Sequence, residues 1–549
     1  MTTIVYGENL LPTQGDTRHA AFLFPNTTNL MESQSVPDLL TLQNKKAVIG
    51  EIIIKRSNIF DLNNPDENIA LFRLANRIHI MTRESVIRNL LLFKSGDTFS
   101  RQLMEESERI LKGSNFIFDA KIYPVSYKKN IVDIEVDTRD VWTLKGSINF
   151  SREGGSNSLS ADVHESNLLG YGKDLNLSVG SDVDRSEKNI SYKDKQLFNT
   201  RNHLAVSYTD KSDGVTQSYS FNRPFYSLQS KWSMGMSYFS DKRTDSLFAL
   251  GETVDKFKHR QKNISVFGGF SQGLFNNLVY RWRLGYSEER NYFTPHEDYL
   301  SGPIPEDRDF RYPWVSLEMY ENRMFKTTHI QQINRTEELN LGNEINVRLG
   351  WSGYHAGALN EGLIFNTSAN MAFRPYQGNL LLINTHLNGR FSENNFIDTA
   401  LGFDSKVYIP NFGHDVFYMS LRGQYLERPY LDHQIILGGG SGLRGYPLRY
   451  QSGDRMMLFT VEQRLYTTWH WFRLAYVGAL AFYDIGRAWS DNVPENDKTG
   501  VLRDVGIGLR LASSRSARGI VFHADLAFPL DGDSKIDSAQ LVLTTTESF

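Results

Sequence analysis

The chain of 549 residues contains no cysteine. That absence excludes disulfide scaffolds, thiolate metal sites and cysteine nucleophiles together. Charge of one dominant sign is also missing: 60 Lys and Arg stand against 63 Asp and Glu, a formal net charge of −3. A nucleic-acid partner is therefore not expected, because such proteins carry a basic excess or stripe. No run of 18 apolar residues occurs and the mean hydropathy is −0.41, which rules out transmembrane helices. A membrane protein built from strands survives this test, since its lipid-facing and lumen-facing residues alternate and average out. What the chain does have is aromatic side chains, 12% of all residues.

Residues 1–47 show no basic segment followed by an apolar one, so no signal peptide is read in them. They are polar and aperiodic, and a flexible arm is expected; a segment that plugs or threads a pore is the sharper alternative.

From 48 to 139 the periodicity changes from segment to segment. VIGEIIIKR (48–56) is a β-branched run suited to a buried strand. Residues 83–93 and 99–112 read as helices, the second placing Phe99, Leu103 and Ile110 on one face. In 116–122, Phe116, Phe118, Ala120 and Ile122 share a face; in 131–137, Val132, Ile134 and Val136 alternate with acidic residues. The order is β-α-α-β-β, with one further helix expected around 66–77. This is a small α+β interaction module whose uncovered strand edge offers a place for another chain.

From Asp140 onward helical periodicity gives way to alternation. Met457, Phe459, Val461 and Leu465 oppose Thr460, Glu462 and Arg464; Val505, Ile507 and Leu509 oppose Asp504 and Arg510; Leu526 and Phe528 oppose His523 and Asp525. About 410 residues of such pattern exceed any single sandwich, and the 40–50-residue repeat of a propeller is missing. The expected fold is mostly β: a transmembrane antiparallel barrel of about 16 strands over 140–549, behind one small α+β domain.

Residues 438–447, GGGSGLRGYP, satisfy G-x-G-x-x-G through Gly440, Gly442 and Gly445. A dinucleotide site needs a helix next, but Pro447, a polar stretch and a strand follow, so the match is fortuitous. Histidines are scattered without ligand spacing and no G-x-S-x-G occurs. No cofactor, metal or enzymatic activity is expected.

The segment Leu443-Arg444-Gly445-Tyr446 resembles the LRGY signature of the long inward-folded loop in the BamA/TamA-like superfamily of outer-membrane assembly and translocation barrels. Phe482, Asp484 and Gly486, in FYDIG, resemble its companion F-x-D-x-G motif on the barrel wall. The small domain is similar to the superfamily's polypeptide-transport-associated (POTRA) domain, ending in RDVWTL where the barrel starts. The resemblance implies that Arg444 pairs with Asp484 and pins the loop inside the lumen. By phase, Glu462 and Arg464 also face the lumen and would extend the network. The terminal Phe549 resembles the end of the strand signal that assembly machinery reads. A water-filled lumen would let Asp484 lose its partner at little cost in stability.

The chain departs from the family in having room for one POTRA domain only, and in lacking a glycine upstream in its last strand. The resemblance implies a bacterial outer-membrane location, with POTRA in the periplasm. It also implies the lipid bilayer, unfolded outer-membrane or secreted polypeptides and a periplasmic protein at POTRA as partners, and the insertion or translocation of polypeptides as function. A lipid- or solute-handling barrel and a passive surface antigen remain open.

Overall fold

The computed structural model describes residues 36–547, apart from 66, 300–301, 331, 334–335, 377, 412, 473, 492–498, 515–519 and 533–535. Of the expected arm, residues 1–35 lie outside the described residues, as does Phe549. The end of that arm, however, belongs to the small domain. Helix α1 (Leu39–Asn44) starts where the Asp38 carboxylate accepts from Thr41 N–H, and Leu42 and Ala47 are fully buried in the core.

The domain continues with strand β1 (Val48–Ser57), helices α2 (Ala70–Ile78), α3 (Glu84–Leu90) and α4 (Arg101–Lys112), and strands β2 (Ile117–Lys128) and β3 (Ile131–Asp140). The sheet order is β1-β3-β2, with β1 parallel and β2 antiparallel to β3. Val132, Ile134 and Val136 are fully buried at its centre. Two details differ from expectation. A register shift between Ile117 and Asp119 puts Ile117 into the core and leaves Phe118 half-buried. On α4 the buried stripe centres on Met104 and Leu111, with Ile110 to its side.

Beyond Asp140 the chain forms a closed antiparallel barrel of 20 strands, from Leu144–Glu153 to Gln540–Glu547. The expectation of about 16 strands is corrected. It allowed some 26 residues per strand, but many connections are two-residue turns that use almost no chain. Asn276 and Asn277, Glu393 and Asn394, and Gly154 and Gly155 all have positive φ, the type I′ geometry that matches the twist of paired strands. The early strands are only nine to twelve residues long, enough to cross a bilayer when tilted. By contrast Trp232–Ala249 and Glu252–Phe275 form a hairpin of 18 and 24 residues that projects beyond it.

The pleat sorts the side chains. Ile148, 81% exposed, heads a lipid-facing set with Val163, Val179, Met236, Phe270, Leu284 and Ile507, while Asp241, Glu318, Glu462, Asp484 and Asp525 are buried within the wall's inner side. This alternation is that of a membrane barrel.

POTRA is docked onto the turns at one mouth. Glu106 Oε1 accepts from Leu228 N–H at 2.7 Å, Arg201 donates to Leu91 O at 2.7 Å, and Asn167 donates to Thr82 Oγ1 at 2.9 Å.

Candidate functional site

The site is built by the connection 428–454, which follows the strand Val416–Glu427 at the mouth opposite POTRA and turns back into the lumen. Its base is anchored three ways. Arg308 holds Asp432 through two bonds of 2.9 and 2.7 Å, both side chains nearly inaccessible. The Gln434 side chain bonds both the N–H and the C=O of Phe248, at the tip of the long hairpin. Ile435–Leu437 pairs with Gln451–Gly453 as a short ribbon. Leu437, Leu443, Tyr446 and Tyr450 then pack with the wall residues Met456, Leu458, Ala488 and Leu502.

At the tip the backbone turns through residues of positive φ, Gly442 at 115° and Leu443 at 60°. A Cβ on Gly442 would lie 2.3 Å from Leu458 Cδ2, and one on Gly445 2.8 Å from Asp504 Cβ. Only glycine lets the loop approach the wall so closely. The turn aims Arg444 at the strands Arg455–Trp471, Ala475–Trp489 and Ile520–Pro529. Arg444 Nε and Nη2 donate to the two Asp484 oxygens at 2.9 and 3.1 Å, Nη2 also to Glu462 at 2.9 Å, and Nη1 to Asp525 at 3.0 Å. Its guanidinium lies 3.5 Å from the Phe482 ring centroid. Planar delocalised charge suits both contacts, the fork for carboxylates and the face for an aromatic ring.

Of the residues singled out in the sequence, Leu443, Arg444, Gly445, Tyr446, Glu462, Arg464, Phe482, Asp484 and Gly486 all meet here. Arg464 Nε donates to Glu462 at 2.7 Å, and Gly486 lies against Leu437 and Leu458. Tyr446 is fully buried and its hydroxyl donates to Arg503 O at 2.7 Å. Sequence reasoning missed the roles of Asp525, Arg510 and Asp504. Arg510 pairs with Asp525 through both nitrogens; Asp504 accepts from Gly445 N–H at 3.1 Å and sits directly across from Asp484. The signal was present: all three occupy the polar phase of their strands.

The electrostatics correct another expectation. Arg444 is 15% exposed and Asp484 2%, so the pair is largely covered by its partners at the edge of a lumen cavity. Charges this buried persist because each is neutralised and hydrogen-bonded. Beneath the loop a cavity of about 640 Å³ is lined by Arg444, Glu462, Arg464, Arg510, Asp525 and Thr544 of the last strand. Below it lie residues of the connection that enters from the POTRA mouth: Ile330 packs on Tyr408 and Tyr418, and Ile333, on the cavity lining, packs on Ala512 and Val521. Among the described residues no His, Asp and Glu cluster is suited to hold a metal ion. Chemically the arrangement is a clamp holding the loop to the wall.

The seam between first and last strands is of another kind. Among the described residues they share one registered pair, Leu543 with Arg152, whereas every other neighbouring pair in the barrel shares at least seven.

Residues 79–140 match the family model described as POTRA, surface antigen variable number repeat. No curated protein matches the chain. The chain is similar to BamA from Haemophilus ducreyi lacking POTRA domains 1-3 (17% identity, 90% of this chain and 84% of that one, TM-score 0.40). It is also similar to CdiB from Acinetobacter baumannii (12%, 91% and 73%, TM-score 0.45) and CdiB from Escherichia coli (12%, 91% and 76%, TM-score 0.43). A segment that matches the POTRA model therefore precedes a closed antiparallel β-barrel.

Proposed function

We propose that this barrel, which does no catalysis, inserts or translocates polypeptides at the bacterial outer membrane, with POTRA in the periplasm. The observation that carries the reading is the seam. From Leu144 to Ser151 the first strand has no registered partner on the last strand among the described residues. Unpaired backbone groups are costly in hydrocarbon, and an incoming strand satisfies them by adding to the edge. The clamp at Arg444 supports the same reading, because it holds the lumen contents fixed on the neighbouring wall while the seam stays free. In this reading the partners are the lipid bilayer, unfolded outer-membrane or secreted polypeptides, and a periplasmic protein at POTRA. A lumen occupied by 428–454 from one mouth and by Ile330 and Ile333 from the other disfavours a diffusion pore for small solutes.

The test is photo-crosslinking in living cells from Ser147 and Thr544, at the seam, with adducts identified by mass spectrometry. Adducts to strands of many barrels support insertion, and one dominant secreted protein supports dedicated export. Lipid and intramolecular products alone would sink both.

A further inference from the structure

Helix α2 presents an apolar stripe outward. Leu71, Leu74 and Ile78, at spacings of three and four, are 65%, 54% and 59% exposed, and Ile69 and Ile80 continue the stripe at either end. Isolated exposed leucines need no explanation, but a five-residue row does. The helix cannot bury the stripe by rolling, because its other face is fixed. Phe72 stacks on Phe60 with centroids 3.9 Å apart, and the Asn76 side chain bonds both the N–H and the C=O of Phe60.

The C-terminal end of α2 is tied to the barrel rim. His79 Nε2 lies 3.0 Å from Asp140 Oδ2, which also accepts from Thr82 N–H at 2.7 Å. Arg83 N–H then donates to Gly170 O at 3.0 Å, in the turn between the strands Ser156–Glu165 and Lys173–Ser181. A Cβ on Gly170 would lie 2.7 Å from Met81 O, so the two segments touch. That turn exposes Leu169 and Tyr171, and Arg83 lies over the Tyr171 ring at 4.0 Å. Higher on the same two strands, Val163, Leu177 and Val179 face lipid. The apolar row on α2 is therefore continuous with the lipid-facing wall through an interfacial tyrosine and leucine. The helix, ALFRLANRI, carries Arg73 and Arg77 and no acidic residue.

We propose that α2 is an interfacial anchor, its Leu71–Leu74–Ile78 stripe seated in the phospholipid leaflet on the POTRA side of the membrane. Apolar area enters the acyl boundary while Arg73, Arg77 and Arg83 meet phosphate groups. The strands above it are the second and third of the barrel counted from the chain start, so the anchor sits close to the seam. The inference rests on the reading of the chain as a membrane barrel.

The natural absence of cysteine makes the test direct. Full-length Leu74→Cys, Ile78→Cys and Arg73→Cys variants carry a nitroxide in vesicles of phosphatidylethanolamine and phosphatidylglycerol. Collisions with oxygen and with a water-soluble nickel chelate are compared. Ile148→Cys is the lipid reference and Glu297→Cys the water reference. Labels at Leu74 and Ile78 should favour oxygen several-fold over Glu297, approaching Ile148, with Arg73 between. Values equal to Glu297 would place the stripe in water and overturn the proposal. Exclusion of both reagents would mean that protein covers it, which overturns it too. If Ile148 itself reads as water, the membrane-barrel reading fails with it.

Discussion

Two junctions of the same barrel, separated by a single strand, are held in opposite ways. On one side, Asp525 of the strand Ile520–Pro529 is bound by Arg444 and Arg510 in a buried network spanning the wall and the lumen loop. On the other, the last strand meets the first through one registered pair among the described residues. The difference teaches where order is concentrated. The loop is fixed by charge-assisted bonds among side chains that are themselves almost inaccessible, where such bonds are strong. The seam, among the described residues, carries no comparable network.

That contrast is broken most directly by closing the seam. A disulfide between Arg152→Cys and Leu543→Cys, in a chain with no other cysteine, should abolish polypeptide adducts at Ser147, and reductant should restore them. Persistence of adducts in the oxidised protein would mean that clients do not use this edge.

The other junction is opened by Arg444→Ala. Glu462, Asp484 and Asp525 would lose their common cation, and breaking a buried pair costs about 3–5 kcal/mol. Urea unfolding in detergent or vesicles should fall accordingly. Arg444→Lys keeps the charge but loses the fork and the stacking on Phe482, and should recover only part of the loss. A variant as stable as the parent would show the network to be dispensable to the fold.

A milder loosening comes from Gly445→Ala. The added methyl would lie 2.8 Å from Asp504 Cβ and 3.0 Å from Pro529 N, backbone that has little room to move. Overpacking of this kind costs about 1–3 kcal/mol, and unfolding midpoints of otherwise matched proteins measure it.

The smallest effect concerns the joint between POTRA and barrel, a third junction intermediate in kind. Burial pushes the Glu106 carboxyl up from its usual range, against the lowering effect of Leu228 N–H and of Arg109 and Arg281. A carboxyl whose folded value is raised binds its proton more readily in the folded state. Its contribution is therefore complete below the unfolded value and is lost as pH rises through the folded one. Docking should weaken modestly from about pH 4.5 upward. Glu106→Gln, which still accepts from Leu228, should flatten that slope in unfolding followed against pH; an unchanged slope would assign it to another group.

Much of this was legible in the chain before any coordinates. Alternation over 140–549 identified a barrel because each lipid-facing residue must be apolar. LRGY and FYDIG marked the loop tip and the wall, and the polar phase of Glu462 and Arg464 aimed them inward. The strand number was not legible, since two-residue turns such as Asn276–Asn277 leave no composition signal long enough to separate from the strands they join. Asp525 and Arg510 stood in the right phase, but phase gives a face and not a neighbour. The buried state of Asp484 was misjudged for the same reason. The Asp484 carboxylate is covered by Arg444 from the loop and flanked by Asp504 of the next strand, which come from separate parts of the chain.

The sequence by itself thus determined periodicity, and with it the class of fold, the inward and outward faces and the small module ahead of the barrel, because these follow from which side chains tolerate lipid. Tertiary structure alone decided how many strands close the wall, which carboxylates share Arg444, and that the described residues of the first and last strands share a single registered pair. Each depends on register between segments far apart in the chain. Register is settled only when all the pairings compete for the same closed ring.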